Sequence, residues 1–459
     1  MERKNAWSSY DGYELLRLES FSKDYCDFLN KGKTERECVD TCVEFAGKKG
    51  YLDLDACVAE GRKLVAGDRV FCNWMGKVFM MFVIGKEPLD KGMRILGAHI
   101  DSPRIDVKQN PLYEDSDLAY LDTHYYGGLK KYQWVAQPLA LHGVIVKKNG
   151  EKVNICIGED ENDPVFCISD LLPHLAQDQM KKDAAKIIEG EELNLIIGGR
   201  PIAMEDSTNV KNNILYILKG KYDVEEEDFL SAELEIVPAG KARDMGLDRS
   251  MILAYGHDDR VCAYPSFRAV TDYEGVPDKT LCAVLCDKEE IGSVGATGMN
   301  SMFFENTIAE LYALTKEYCE LGVRRCLRNS MMLSSDVSAG FDPNFAGAFE
   351  KKNAAFLGRG LCFNKYTGSR GKSSSSDANA EYMAEIRRIM DDAGVFFQTA
   401  ELGRVDLGGG GTIAYMCAKS GMNVIDAGVA VLSMHAPYEV ISKADLYEAY
   451  KGYCAFLKG

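Results

Sequence analysis

Hydrophobic and polar positions alternate with a helical period over residues 12–65, and this pattern predicts helices. Arg69 to Ile84 is dense in aromatic and aliphatic residues and predicts a pair of strands that turns at Met75-Gly76. The apolar run 94–100 predicts a short buried strand that leads directly into His99-Ile100-Asp101. Polar groups at the end of a buried strand are found where open α/β sheets place their chemistry.

The pattern changes between residues 107 and 247, where β-rich segments dominate and Val144 to Ile157 alternates around Asn149-Gly150, which is a hairpin signal. Alternation of strands and helices returns after Leu247 and includes one long helical stretch, Phe303–Leu321. The pattern predicts an α/β domain formed by residues 1–106 and 248–459, with a central mixed sheet flanked by helices. Residues 107–247 are predicted to form an inserted β-rich domain.

The composition narrows the possible partners. The 459 residues include 54 Lys and Arg against 70 Asp and Glu, and the net charge of -16 argues against nucleic-acid binding. No apolar run approaches the roughly 20 residues that span a bilayer, so we expect no membrane association. Fifteen cysteines behind a polar N-terminus predict reduced thiols in the cytoplasm.

Five short apolar strands share one feature, which is that each ends in residues able to bind a metal. These residues are costly to bury unless they are paired or bound to a cation. Two histidines with several carboxylates, and no cysteine, favour a catalytic site for two zinc ions, with cobalt or manganese as alternatives. The five strand ends are Gly97–Asp101, Tyr255–Asp259, Cys286–Glu290, Leu333–Asp336 and Leu432–His435.

Two of these strand ends carry further chemical information. A carboxylate two residues after His99, at Asp101, is placed to fix the imidazole tautomer. Adjacent side chains at Glu289-Glu290 are not expected to face one metal equivalently, so one is predicted to coordinate and the other to reach an activated water as general base.

The five motifs together resemble those of the aspartyl aminopeptidase and vacuolar aminopeptidase family of co-catalytic zinc exopeptidases, in the family's order and across nearly the whole chain. The resemblance implies that Glu289 is the general base, that Asp101 orients a ligand, and that Asp258 bridges the metals. Many members have Asp-Asn where this chain has Asp258-Asp259, and the flanking residues favour Asp258. The implied zinc ligands are His99, Asp258, Glu290, Asp336 and His435.

Two further matches concern substrate binding and contacts between subunits. Asp170–Leu175 resembles the family segment whose histidine, here His174, reaches a neighbouring subunit's active site. Gly408–Thr412 resembles the glycine-rich substrate loop, which assigns Gly409 and Gly410 to substrate binding. The resemblance also implies a dodecamer of dimers that assembles through the inserted domain. The remaining histidines, His124, His142 and His257, are expected to be structural.

The predicted reaction is hydrolysis of the first peptide bond of a peptide. A local basic cluster formed by Lys365, Arg370 and Lys372 favours acidic N-terminal residues. The alternatives are an aminopeptidase for neutral residues such as Leu, a tetrahedral glutamyl aminopeptidase, a di-zinc carboxypeptidase or amidohydrolase, and a catalytically silent assembly protein of the same fold.

Overall fold

The computed structural model describes residues 4–203 and 208–459. Within them the α-helices are α1 (Gly12–Lys31), α2 (Glu35–Lys48), α3 (Leu54–Glu60), α4 (Val210–Tyr222), α5 (His257–Thr271), α6 (Phe303–Thr315), α7 (Glu320–Asn329), α8 (Ser369–Lys372), α9 (Ala380–Asp392), α10 (Ala414–Ala418) and α11 (Lys443–Lys458).

The strands, from β1 to β22 in chain order, are Leu52–Asp53, Arg69–Trp74, Val78–Val83, Met93–His99, Arg104–Asp115, Leu118–Tyr126, Leu139–Val146, Lys152–Ile157, Leu195–Gly198, Ile202–Ala203, Thr208–Asn209, Ala232–Pro238, Arg243–Met245, Met251–Ala254, Thr280–Cys286, Met331–Ser334, Ser338–Ala339, Leu361–Asn364, Phe397–Thr399, Asn423–Gly428, Ala430–Val431 and Glu439–Ser442.

The chain forms two compact units. The first comprises Met1–Asp101, Ala242–Met434 and Glu439–Gly459, and the second comprises Ser102–Lys241 and His435–Tyr438. These divisions fall close to the predicted ends at 106 and 247. An oligomerisation role for the second unit stays a prediction.

A nine-stranded mixed sheet forms the centre of the first unit, in the order β1-β2-β3-β15-β4-β16-β20-β18-β19. Its middle strands β15, β4, β16 and β20 run parallel, and β3 and β18 are antiparallel to their inner neighbours. Apolar side chains on one face pack against α1, α2, α5, α9 and α11, and those on the other pack against α3, α6, α7 and α10. The predicted mixed sheet flanked by helices is therefore confirmed.

Parallel strands that are covered on both faces consist of continuous apolar runs. Every residue of β4 and of β15 is buried, which matches this rule. Because the four middle strands are parallel, their carboxyl ends meet at one edge of the sheet. The register pairs Cys286 with His99, and Ser334 with both Gly97 and Asp426. This register brings the metal-binding strand ends to a common edge.

The second unit contains a six-stranded antiparallel sheet in the order β8-β7-β12-β5-β6-β9. The predicted hairpin is present, with β7 paired to β8 across Asn149-Gly150. The unit also contains α4, a helix that the sequence analysis did not predict. The helix begins after Asn209, whose side chain accepts a hydrogen bond from the amide of Asn212. An asparagine cap is a local helix-start signal, and it was missed because β-rich segments dominate this part of the sequence.

The long helical stretch predicted at 303–321 is wrong in its extent. The structure ends α6 at Thr315 and starts a separate helix, α7, at Glu320. The two helices pack closely, because a Cβ atom at Gly322 would lie 2.0 Å from the hydroxyl of Tyr312. Glycine at this position therefore permits the helices to approach.

Candidate metal centre

The carboxyl edge of the large sheet gathers histidine and carboxylate side chains of the first unit. His99 ends β4 and is 1% exposed, and Asp336 follows β16 by two residues. The ligand atoms of His99, Asp258 and Asp336 lie within 4.8 Å of one another, as do those of His99, Glu289 and Glu290. Sequence-predicted residues from four separate strand ends therefore converge.

His99 is held from both sides of its ring. Nδ1 lies 2.9 Å from the carbonyl oxygen of Asp101 and 3.2 Å from its Oδ1. A proton on Nδ1 is thus bound by Asp101, which leaves the Nε2 lone pair free to coordinate a metal. Nε2 is 3.1 Å from Oδ1 of Asp258 and 3.9 Å from Oε2 of Glu289.

Asp101 also fixes the turn that carries the two glutamates. Its Oδ1 accepts a hydrogen bond from the backbone amide of Glu289 at 3.1 Å, and its Oδ2 accepts one from that of Glu290 at 3.2 Å. The turn follows β15 through Lys288, whose φ of 67° is left-handed. One buried carboxylate therefore orients both the imidazole and the glutamate pair.

Asp258 and Asp259 occupy different positions although they are adjacent. They lie at the start of α5 with non-helical backbone angles. The carboxylate of Asp258 faces His99, and its backbone amide donates to Oε2 of the buried Glu439 at 2.9 Å. Oδ2 of Asp259 instead accepts from the backbone amide of His99 at 3.3 Å.

The electrostatics of the site favour a cation. Burial lowers the pKa of His99, but the hydrogen bonds that the ring donates to Asp101 and Asp258 outweigh it and raise the pKa well above its usual value. Burial, together with neighbouring carboxylates, also raises the pKa values of Asp259 and Asp336 well above the usual range. A bound metal ion would stabilise this cluster of acids, in which Asp258 and Asp259 are buried and the others are half-buried, namely Glu289, Glu290 and Asp336.

His435 belongs to the second unit, which includes the segment His435–Tyr438. Its φ is 65°, and its Nδ1 lies 2.6 Å from the carbonyl oxygen of Gly128. A proton on Nδ1 bound by this carbonyl gives the tautomer that coordinates a metal through Nε2. Its role as a metal ligand stays a prediction.

The residues predicted to bind substrate lie in two places. Lys372 and Gly409 line one cavity of about 230 Å³, together with Arg370 and Arg404. The amide of Gly410 donates to the carbonyl of Thr367 in the same loop pair. His174 is exposed in a turn of the second unit, and its contact with substrate stays a prediction.

The other three histidines have structural contacts. His257 is buried, with Nδ1 2.8 Å from the hydroxyl of Tyr25 and Nε2 3.2 Å from the carbonyl of Ile252. His257 is the first residue of α5, directly before Asp258. His142 contacts Glu159, and His124 contacts the carbonyl of Tyr125.

Sequence reasoning missed two buried acids near the centre. Glu439 holds the backbone of Asp258, and Asp426 lies within β20 next to the strand that leads to Asp336. A single carboxylate inside an apolar run, as in Val424-Ile425-Asp426-Ala427, was the available signal for Asp426.

The mixed sheet and its edge of carboxylates and histidine define an α/β metallopeptidase. The chain belongs to the family described as aminopeptidase I zinc metalloprotease (M18), whose sequence model matches residues 28–457. It is therefore a zinc-dependent aminopeptidase.

Known relatives match the chain over its whole length. It is 59% identical over 457 residues to the "Probable M18 family aminopeptidase 1" of Clostridium acetobutylicum, covering 99% of this chain and 98% of the relative. The crystal structure of aminopeptidase I from that organism has a TM-score of 0.93, with 57% identity and full coverage of both chains. The crystal structure of an M18 aminopeptidase from Thermotoga maritima has a TM-score of 0.94, with 42% identity, covering 100% of this chain and 99% of that one.

Proposed function

We propose that the protein removes single residues from peptide N-termini with two zinc ions and a glutamate general base. The carrying observation is the convergence of His99, Asp258, Asp336, Glu289 and Glu290 within ligand distance at one sheet edge. Their nitrogen and oxygen donors suit zinc in an open catalytic site, with cobalt and manganese as alternatives. The proposed ligands are His99, Asp258, Glu290, Asp336 and His435.

Bound zinc would supply Lewis-acid polarisation of the scissile carbonyl and a lowered pKa for water. Asp258 is the proposed bridging ligand, because its carboxylate faces His99 whereas that of Asp259 accepts from the backbone of His99. Glu289 takes a proton from the attacking water and delivers it to the leaving amine. Asp101 keeps the imidazole and the glutamate turn in place.

The variant Glu289→Gln tests this division of labour. It removes the proton acceptor but keeps the shape of the side chain, so we expect loss of turnover by a factor of about 100 to 10,000 while zinc stays near two per chain. Activity on aminoacyl anilides and metal analysis of the same samples provide the measurements. A fully active variant would refute the role of Glu289, and wild-type cleavage of N-acetylated peptides would favour a different hydrolase class.

We further propose a preference for acidic N-terminal residues. Lys365 and Lys372 both pair with Asp377, with Lys372 Nζ 2.9 Å from its Oδ2. One aspartate balances two lysines, and Arg370 adds another positive charge beside the same cavity. Glu401 and Asp406 also line the cavity, together with Arg404, so the four cations exceed the three anions by one charge. A carboxylate side chain would therefore meet a surface with one excess positive charge.

Turnover of Asp-, Glu-, Leu- and Met-anilides distinguishes this preference from the neutral alternative. We expect kcat/KM for the acidic substrates to exceed that for Leu by about tenfold or more, as a charge-assisted hydrogen bond provides. A clear preference for Leu would overturn the proposal. Asp377→Asn, which removes the balancing charge, should increase the preference further.

We also propose a dodecameric assembly and a cytoplasmic location. Exposed apolar side chains of the second unit, Tyr216 at 64% and Leu175 at 68%, favour a dodecamer of dimers in which His174 contacts a neighbouring subunit's substrate. With a chain of 50.8 kDa, light scattering should give about 610 kDa, and a monomer would exclude this role of His174.

All fifteen cysteines are free, which supports a cytoplasmic location. None of the helices in the described part of the chain combines the length and hydropathy of a membrane span.

A further inference from the structure

Asp426 is a buried carboxylate within the central sheet that the proposed mechanism does not use. It lies on β20, opposite Ser334 on one neighbouring strand and Asn364 on the other, and is 1% exposed. Its Oδ1 accepts a hydrogen bond from the hydroxyl of Thr412 at 2.6 Å. Burial raises the pKa of Asp426 to about 7, the bond from Thr412 opposes this increase, and the charge of Glu289 adds to it.

Thr412 joins the glycine-rich loop to this carboxylate. It is 5% exposed and follows Gly408–Gly411 directly. Its hydroxyl donates to Asp426 and lies 3.3 Å from the amide of Ala414, the first residue of α10. The hydroxyl therefore fixes the end of the loop and the start of the following helix at one point.

The other end of the loop is held by backbone contacts. The amide of Gly410 donates to the carbonyl of Thr367 at 2.9 Å. A Cβ atom at Gly409 would lie 2.7 Å from Cα of Ser369, and its φ of 110° also excludes most other residues. The loop is thus fixed at both ends, and only the Thr412 end depends on a side-chain hydrogen bond.

The strand that carries Asp426 also supports the metal centre. Gly428, two residues further along β20, packs so closely that a Cβ atom there would lie 1.9 Å from the backbone oxygen of Asp336. Strand β20 therefore contacts the segment that carries a proposed zinc ligand and, through Asp426, the glycine-rich loop. A shift of the loop relative to this strand would be a shift relative to the metals.

We propose that Asp426 is a positioning residue that, through its hydrogen bond from Thr412, holds the glycine-rich loop in register with the metal centre for substrate binding. The assignment deepens the proposed aminopeptidase function and rests on it. Asp426 and Thr412 do not touch the reacting atoms. Their effect is on where the loop backbone meets the peptide, so the variants should change KM more than kcat.

The test compares Thr412→Val, which keeps the shape but removes the hydroxyl, with Thr412→Ser, which keeps the hydroxyl. Loss of a hydrogen bond to a carboxylate predicts an increase of about 10- to 100-fold in KM for Thr412→Val, with kcat within about threefold and zinc content unchanged. Thr412→Ser should restore KM to within about threefold of wild type. Should the valine variant fail to fold, Asp426→Ala removes the same bond from the other side and should give the same increase.

Thr307→Val is the matched control, because Thr307 is also buried and its hydroxyl donates to the carbonyl of Phe303 within α6 at 2.8 Å, far in sequence from the glycine-rich loop. Its kinetics should equal those of the wild type. Hydrogen exchange of the zinc-loaded proteins gives a readout that does not depend on activity. The amides of residues 408–412 should exchange faster than in the wild type in both Thr412→Val and Asp426→Ala. In Thr412→Val the exchange rates of β20 should equal those of the wild type. In Thr307→Val the exchange rates of the whole loop and of β20 should equal those of the wild type.

A double variant tests whether Thr412 and Asp426 act through the same hydrogen bond or independently. If Thr412 acts through Asp426, the KM of Thr412→Val/Asp426→Ala should match that of either single variant within about threefold. The assignment would be overturned if the increases in KM multiplied in the double variant, if KM were unchanged in Thr412→Val, or if the serine and valine variants increased KM equally. An active wild type would still support the aminopeptidase function in each of these cases. A zinc-loaded wild type without turnover would overturn both.

Discussion

At the scale of single residues, the centre depends on carboxylates that orient other groups as much as on its ligands. Asp101 contacts the ring of His99 and the amides of Glu289 and Glu290. Glu439 holds the amide of Asp258 in the same way. Substitution of a residue that orients a metal ligand typically lowers metal affinity or activity by 10- to 100-fold. We therefore expect substitution of Asp101 or Glu439 to impair the centre.

The adjacent aspartates provide a test at this scale. We expect Asp258→Asn to lower kcat/KM by more than about 100-fold and zinc content from about two to about one per chain, because it removes a proposed shared ligand. Asp259→Asn should stay within about threefold of wild type. Its amide oxygen can still accept from the backbone of His99.

Kinetics and metal analysis of the two variants, prepared identically, decide between the residues. The opposite pattern, with Asp259→Asn inactive and Asp258→Asn active, would show that the assignment of the bridging ligand is wrong.

At the scale of elements, short strands place the metal-capable side chains at one edge of the sheet, and glycines allow neighbouring helices to pack closely. The fully buried strands β4 and β15 end beside each other, so their last residues lie at one edge. Close approach between helices is equally specific, because α6 and α7 meet where Gly322 leaves room for the hydroxyl of Tyr312.

Two glycine substitutions test the packing argument. Gly322→Ala should lower the free energy of unfolding by about 1–3 kcal/mol, because the added methyl group overlaps the buried Tyr312. Gly220→Ala, in the exposed part of α4, meets no atom within 4 Å and should raise it by about 0.5–1 kcal/mol through helix propensity. Urea titration of both variants measures the difference, and an equal effect of the two would contradict the role of Gly322.

At the scale of the whole molecule, we expect the acids of the candidate metal centre to make stability depend on a bound metal. The ligand atoms of Asp258 and Asp336 lie within 4.8 Å of each other. Burial, together with the charges of neighbouring carboxylates, raises the pKa values of Asp259 and Asp336. A cation that binds only the folded chain stabilises it by mass action.

Removal of zinc should therefore lower stability as well as activity. With zinc at about 1,000 times its Kd, the expected loss on chelation is about 4 kcal/mol in the free energy of unfolding. Calorimetry before and after chelation measures the loss, and added zinc should restore the midpoint. Glu289→Gln should show the same dependence, since it retains the ligands, and a midpoint unaffected by complete zinc removal would contradict the prediction.

The sequence by itself determined the mixed sheet, the family and four strand ends that meet at one edge of the sheet, because apolar runs with a polar stop are local patterns that predict buried strands and their edges. Only the tertiary structure decided which way adjacent aspartates face, why His257 is structural, and where α6 ends. Those outcomes depend on contacts between residues far apart in the chain. The role inferred for Asp426 belongs to the same group, since its partner Thr412 is brought to it by the fold of the loop and not by any repeating pattern.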